Sequence, residues 1–127
     1  MSEHLLTIEH LEQVLEALNR IPSRMEGIVV PAEFLDSPDG QDRLDAICMI
    51  LIATGEALKR IDERTGGGLL ALYPEIDWQG VKGVRDVLAH GYFDVDVEQV
   101  FAICRDDIPL LISTVKRMLE DLRSGGE

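Results

Sequence analysis

QDRLDAICMILIATGEALKRIDER, residues 41–64, decides the fold. Leu44, Ile47, Cys48, Leu51, Gly55, Leu58 and Ile61 recur at steps of three and four with charged residues between them, which is the period of an amphipathic helix. Ser37 followed by Pro38 fits an N-cap and a first helical position just before it. Gly55 interrupts the stripe. A glycine in a helix interior costs about 1 kcal/mol relative to alanine, and close approach of a neighbouring helix is the expected compensation.

Upstream, Leu5, Ile8, Leu11, Leu15 and Leu18 predict a first helix from Ser2, as N-cap, to about Ile21, ended or bent by Pro22. Residues 26–40 lose the helical period and carry two prolines and two glycines, so they read as a connector that packs Val29, Phe34 and Leu35 on the core. A strand at Ile28 to Val30 would lack a partner. Downstream, TGGGLLALYPEIDW (65–78) reads as a loop with a helical turn over Leu69 to Tyr73. Its three glycines do not make a phosphate-binding loop, because no strand precedes them and no Gly-Lys-Ser/Thr follows.

Asp77 is placed to cap a third helix that turns Val81, Val84 and Leu88 inward and stops at Gly91. Asp96, with Gln99 three residues on, starts a fourth helix with Val100, Ile103, Cys104, Leu111, Val115, Met118 and Leu122 inward and a kink at Pro109. Residues 120–127 are expected to fray. The sum is an all-α, antiparallel bundle of four to five helices in one domain spanning 1–127.

Bulk composition narrows the function. The 127 residues carry 24 acidic and 12 basic side chains, a formal charge of −12, which repels polyphosphate over the surface as a whole. A nucleic-acid site would have to be local. No apolar run approaches the ~20 residues of a membrane span, and the N-terminus lacks the layout of a signal peptide, so a cytoplasmic location is expected. Cys48 and Cys104 lack paired spacing and read as buried thiols. His4 and His10, six apart, do not suggest a metal site, and no cofactor is implied.

The residues with chemistry gather in VKGVRDVLAHGYF, 81–93. Arg85 is permanently charged and forks onto two phosphate oxygens. His90 can take or give a proton near neutral pH. Tyr92 can donate to a phosphate, stack on a base or accept a modification. Asp86 can orient a cation, and Lys82, one turn before Arg85, can extend a phosphate patch. Arg85 and His90 are five apart, about 140° around a helix. One helix therefore aims the two poorly at one target, whereas two copies facing across a two-fold axis do so readily. Composition alone favours plainer roles: His90 as a cap complementing the helix dipole, Arg85 as a solvated surface residue, Tyr92 and Phe93 as core aromatics.

Arg85, four intervening residues, His90, Gly91 and Tyr92 together resemble the Arg-x4-His-x-Tyr motif of the HEPN superfamily, specifically the HepT-like toxins. The resemblance extends over residues 28–115. FLDSPDGQDRLDAICMILIATGEALKRI is similar to the family's second-helix signature, including Gly55-Glu56-Ala57, and the segment from Tyr73 to Leu111 is similar to its third and fourth helices. It implies a bundle that dimerises through the motif helix, and a metal-independent endoribonuclease acting on RNA rather than DNA, with Arg85 and His90 catalytic in the dimer cleft. It further implies that Tyr92 is nucleotidylated by a partner nucleotidyltransferase antitoxin of the MntA type. Many relatives have asparagine directly after the motif arginine, whereas this chain has Asp86, which is expected to weaken RNA affinity. Two other classes stand beside the toxin: a non-catalytic module that binds a nucleotide or a nucleotidyltransferase partner, which the acidic surface would suit, and a purely structural helical dimer.

Overall fold

Ser2 accepts a hydrogen bond on its Oγ from the Leu5 N–H at 3.1 Å and so caps helix α1, Glu3–Leu18. This computed structural model describes residues 2–88 and 94–125. Helix α1 stops three residues short of the expected Ile21, and the chain re-enters a helix at α2, Ile21–Met25. The break brings Pro22 into the first turn of α2, where its missing N–H leaves no intrahelical bond unmade.

The connector holds no regular element at 28–30 and turns through a single 3-10 segment, Pro31–Phe34. The Glu33 carboxylate accepts from the Val29 and Val30 N–H groups, which holds its pKa below the usual glutamate value. Phe34 is fully buried, as expected, but Val29 and Leu35 are not: they are 73% and 54% exposed. A turn of so few residues can face only one large side chain inward, and Phe34 takes that place.

Helix α3 runs Pro38–Arg64, with the Gly40 N–H donating to Ser37 Oγ at 3.0 Å. It is the central element, packed against α1, α2 and the segments that follow it. Its buried stripe is Leu44, Ile47, Ile50, Leu51, Thr54, Gly55, Leu58 and Ile61, while Cys48 is half-buried. Arg43 ties α3 to α2 by donating to the Arg24 and Glu26 carbonyls at 3.1 and 2.6 Å, which satisfies carbonyls that a helix end leaves open.

The glycine run makes a turn, Gly66 and Gly67 having φ of 65° and 80°, and leads into a short helix α4, Gly68–Ala71. The expected third helix is two pieces, α5 (Trp78–Lys82) and α6 (Val84–Leu88), parted at Gly83. Asp77 caps the first piece, accepting from the Gly80 N–H at 3.1 Å. Gly83 leaves helical geometry at φ −100°, ψ 18°, and the next turn is closed by a three-residue bond from the Asp86 N–H to its carbonyl.

Asp96 starts α7, Val97–Ala102, by accepting from the Glu98 and Gln99 N–H groups, both at 3.1 Å. The discontinuity expected at Pro109 takes the form of a π turn over Ile103–Asp107, after which α8 runs Ile108–Ser124. Pro109 cannot donate to the carbonyl four residues back, and the wider turn accommodates that gap. Helix α8 continues past the expected fraying point at 120. Asp121 receives a hydrogen bond from Tyr73, Arg123 pairs with Glu12 of α1, and Leu122 packs against the core.

The described residues thus form an all-α bundle of three long helices, α1, α3 and α8, with short helical pieces closing one side. Leu11, Leu18, Leu58, Ile61, Val115 and Met118, each at most 1% exposed, belong to the cluster that joins the three. Among the described residues, no helix is long and apolar enough to cross a membrane.

Candidate active site

Arg85 and Asp86 lie on α6 and are both exposed, while Val84 and Leu88 on the same helix are 7% and 1% exposed. Burial of those two side chains turns the guanidinium and the carboxylate to solvent. His90 and Tyr92, with Gly91 between them, lie outside the described residues. The described chain on either side of them is joined, the Asp96 N–H donating to the Leu88 carbonyl at 3.0 Å.

Gly55 of α3 is the seat of this segment. A Cβ at Gly55 would stand 2.6 Å from the Val81 carbonyl oxygen and 3.2 Å from a Val84 methyl, so only glycine lets α5 and α6 approach α3 this closely. The compensation expected of Gly55 is therefore found, and its partner is the Arg85-bearing segment itself. Seven residues along the same face of α3, Asp62 accepts from the Lys82 ammonium at 2.7 Å. The two side chains are 17% and 20% exposed, so the pair is largely withdrawn from water. Lys82 is consequently engaged within the fold and does not extend a free patch of positive charge beside Arg85.

The segment is anchored upstream through Tyr73. Its phenol donates to Asp121 of α8 at 2.6 Å, its carbonyl accepts from the Trp78 indole N–H at 2.9 Å, and the Arg117 guanidinium lies 5.1 Å from its ring centroid. Burial, reinforced by the bond to Asp121, pushes the Tyr73 phenol up to about 12, so it remains a donor at neutral pH. Arg117 also pairs with Glu75, whose pKa stays below the usual glutamate value chiefly because its own backbone N–H donates to it.

On its inner side the segment borders a cavity of about 440 Å³, lined by Leu51, Thr54, Val81, Val84, Val87 and Ile108 among others. Thr54 Oγ1 is buried there without a hydrogen-bond partner among the described residues. Arg85 and Asp86 do not line this cavity and are exposed to solvent. The two thiols are held unreactive by burial, Cys48 pushed up to about 11 and Cys104 to about 12. Among the described residues, no group of three or more His, Cys, Asp or Glu side chains is arranged to hold a metal ion.

The profile of the family described as Ribonuclease HepT-like matches residues 14–118. The chain belongs to this family. The HepT-like match covers α3, the Arg85 segment and α8 as far as Met118. A probable ribonuclease HepT of Thermococcus cleftensis is 33% identical over 103 residues, 81% of this chain and 86% of that protein. A putative RNase of Caldanaerobacter subterraneus subsp. tengcongensis is 26% identical over 111 residues, 87% of this chain and 92% of that one. A putative RNase of Methanocaldococcus jannaschii is 28% identical over 82 residues, and the chain spans 64% of its length. No solved structure matches the chain significantly.

The sequence singles out Arg85, Asp86, Lys82 and the close approach at Gly55, but not Asp62 or Tyr73, which help to seat the segment. Asp62 carried no signal, being one of 24 acidic side chains on a strongly acidic chain. Tyr73 offered a weak one, as an aromatic next to Pro74 in a loop.

Proposed function

We propose that this HepT-like chain is the toxin of a toxin–antitoxin pair of the type VII kind, a metal-independent endoribonuclease of the cytoplasm whose composite site forms across a homodimer. The reading rests above all on the unbroken Arg85, His90, Tyr92 motif within a chain that belongs to the HepT-like ribonuclease family. The exposure of Arg85, away from the apolar cavity, agrees with it.

The chemistry follows from the groups available. An imidazole removes the proton of an RNA 2′-hydroxyl, the oxygen attacks the adjacent phosphorus, and the 5′-oxygen leaves with a proton from a second acid. One chain supplies one His90, so the two copies of a dimer provide base and acid. Arg85, forking onto the non-bridging oxygens, stabilises the negative charge that builds on the phosphorane. Nucleotidylation of Tyr92 by a partner nucleotidyltransferase of the MntA type would place bulk and phosphate charge in that cleft and exclude RNA. A non-catalytic module that binds a nucleotide or a nucleotidyltransferase is the second reading. The −12 charge and the exposed Asp86 beside Arg85 favour it over cleavage.

Wild type, Arg85→Ala and His90→Ala, each expressed without a partner, separate the two. Wild type is expected to arrest growth and to cleave RNA in EDTA, and both variants to lose these activities. Equal cleavage by all three, or none by wild type unmodified at Tyr92, would sink the catalytic reading. Co-expression with the candidate nucleotidyltransferase should add one or more nucleotide masses at Tyr92.

A further inference from the structure

The Lys82–Asp62 ion pair joins the last residue of α5 to the last turns of α3, three residues before Arg85. Gly55 and Asp62 are seven residues apart, two turns of one helix, and so lie on one face of α3. The first receives the Val81 backbone and the second the Lys82 ammonium. Between them they fix both the distance of the Arg85 segment from α3 and its slide along it. Val84 and Leu88 anchor α6 by burial, whereas α5, which leads into it, has no buried residue and Val81 is only partly buried, so the ion pair and the close contact act where apolar packing is weakest. Gly83, immediately after Lys82, is the point at which the segment departs from helical geometry.

We infer that Lys82 and Asp62 are positioning residues for the Arg85 site: their ion pair against α3, beside the Gly55 seat, sets where the guanidinium stands, and Lys82 does not bind substrate. The inference rests on the ribonuclease reading for its functional consequence, but its geometric content is independent of it. A phosphate-binding lysine would be exposed and unpaired, whereas this side chain is four-fifths withdrawn from water and its ammonium is held at 2.7 Å by a carboxylate. Displacement of a catalytic group by about 1 Å lowers turnover by as much as roughly a hundredfold.

Steady-state cleavage by Lys82→Met, Asp62→Asn and the double variant tests this, because the two roles predict opposite patterns. For positioning residues, each single variant lowers kcat by roughly tenfold or more while KM stays within about twofold, and the double variant is no worse than either single. For a phosphate ligand, Lys82→Met raises KM, and Asp62→Asn, which frees the ammonium, lowers KM or leaves it unchanged. That second pattern, or wild-type kinetics in all variants, overturns the inference. Amide hydrogen exchange provides a readout that needs no cleavage. Amides of residues 81–88 should exchange about tenfold faster in both single variants while those of α1 and α8 keep their wild-type protection. If wild type cleaves no RNA, the ribonuclease reading fails, and exchange decides the positioning: unchanged protection at 81–88 overturns it.

Discussion

Leu58 and Gly55 stand one turn apart on α3 and do opposite things. Leu58 is fully buried in the cluster where α1, α3 and α8 meet, and contributes by filling space. Gly55 contributes by leaving space, into which the Val81 carbonyl and the Val84 side chain fit. The bundle is therefore held in two different ways. Its three long helices are joined by interdigitated apolar side chains, whereas the short segment bearing Arg85 adds to the burial of Val84 and Leu88 a close backbone contact, one ion pair and the Tyr73 anchor. A packed core tolerates little displacement of any part. A segment that buries two apolar side chains and adds a few polar contacts can present charged groups to solvent without a large apolar face of its own.

That contrast can be broken experimentally, and the largest effect is expected at Leu58. Leu58→Ala should destabilise the whole bundle by about 2–5 kcal/mol, the range for leucine truncation in a closed core, and urea unfolding should show it as a shifted midpoint with unchanged slope. A loss below 1 kcal/mol would mean that α3 is not the centre of the core.

Gly55→Ala comes next, and here two effects oppose. Helix propensity alone predicts a gain of about 1 kcal/mol. The 2.6 Å approach of the Val81 carbonyl, which is backbone and cannot rotate away, predicts a loss of about 1–3 kcal/mol from overpacking. Clash should win, and its effect should be concentrated in α5 and α6, seen as faster amide exchange there than in α1. A stabilised Gly55→Ala protein with normal protection would remove Gly55 as the seat.

The smallest effect is expected at Tyr73, and it sharpens the comparison by pH. Its phenol titrates near 12 in the folded chain, above the ~10 of an unfolded tyrosine. The folded state thus holds that proton more tightly, so the stabilisation is complete below about pH 10 and is lost as pH rises towards 12. Tyr73→Phe should cost about 1 kcal/mol at neutral pH, the net worth of one hydrogen bond. It should also lose stability less steeply than wild type between pH 10 and 12 in urea titrations. Cys48 and Cys104 titrate in the same range but do so in both proteins, so the difference isolates Tyr73.

Much of the scaffold was legible in the sequence because it depends on local signals. Ser2, Ser37, Asp77 and Asp96 were each read as caps, and each accepts a backbone N–H at the start of a helix. The apolar stripes of α1, α3 and α8 were equally plain, since a three-to-four period can satisfy only one face of a helix. Reading failed where two signals competed. Across 77–91 the apolar spacing suggested one continuous helix, but Gly83 let the chain change direction, and the Val81 and Lys82 contacts with α3 made that change favourable. Val29 and Leu35 were misplaced for a related reason: apolar character says that a side chain gains by burial, not that a tight turn has room to bury it.

Local signals alone settled the helical class, the caps, the apolar stripe of α3 and the motif of Arg85, His90 and Tyr92, because each follows from residues close together in the chain. Only the tertiary structure decided the fate of Lys82. Asp62, twenty residues away in the chain and two turns along α3 from Gly55, pairs with it, and that contact turns an apparent phosphate-binding lysine into an internal strut. Its partner was one acidic residue among many, and which of them comes within hydrogen-bonding distance depends on how closely two helices pack, a quantity fixed by the absence of a single Cβ.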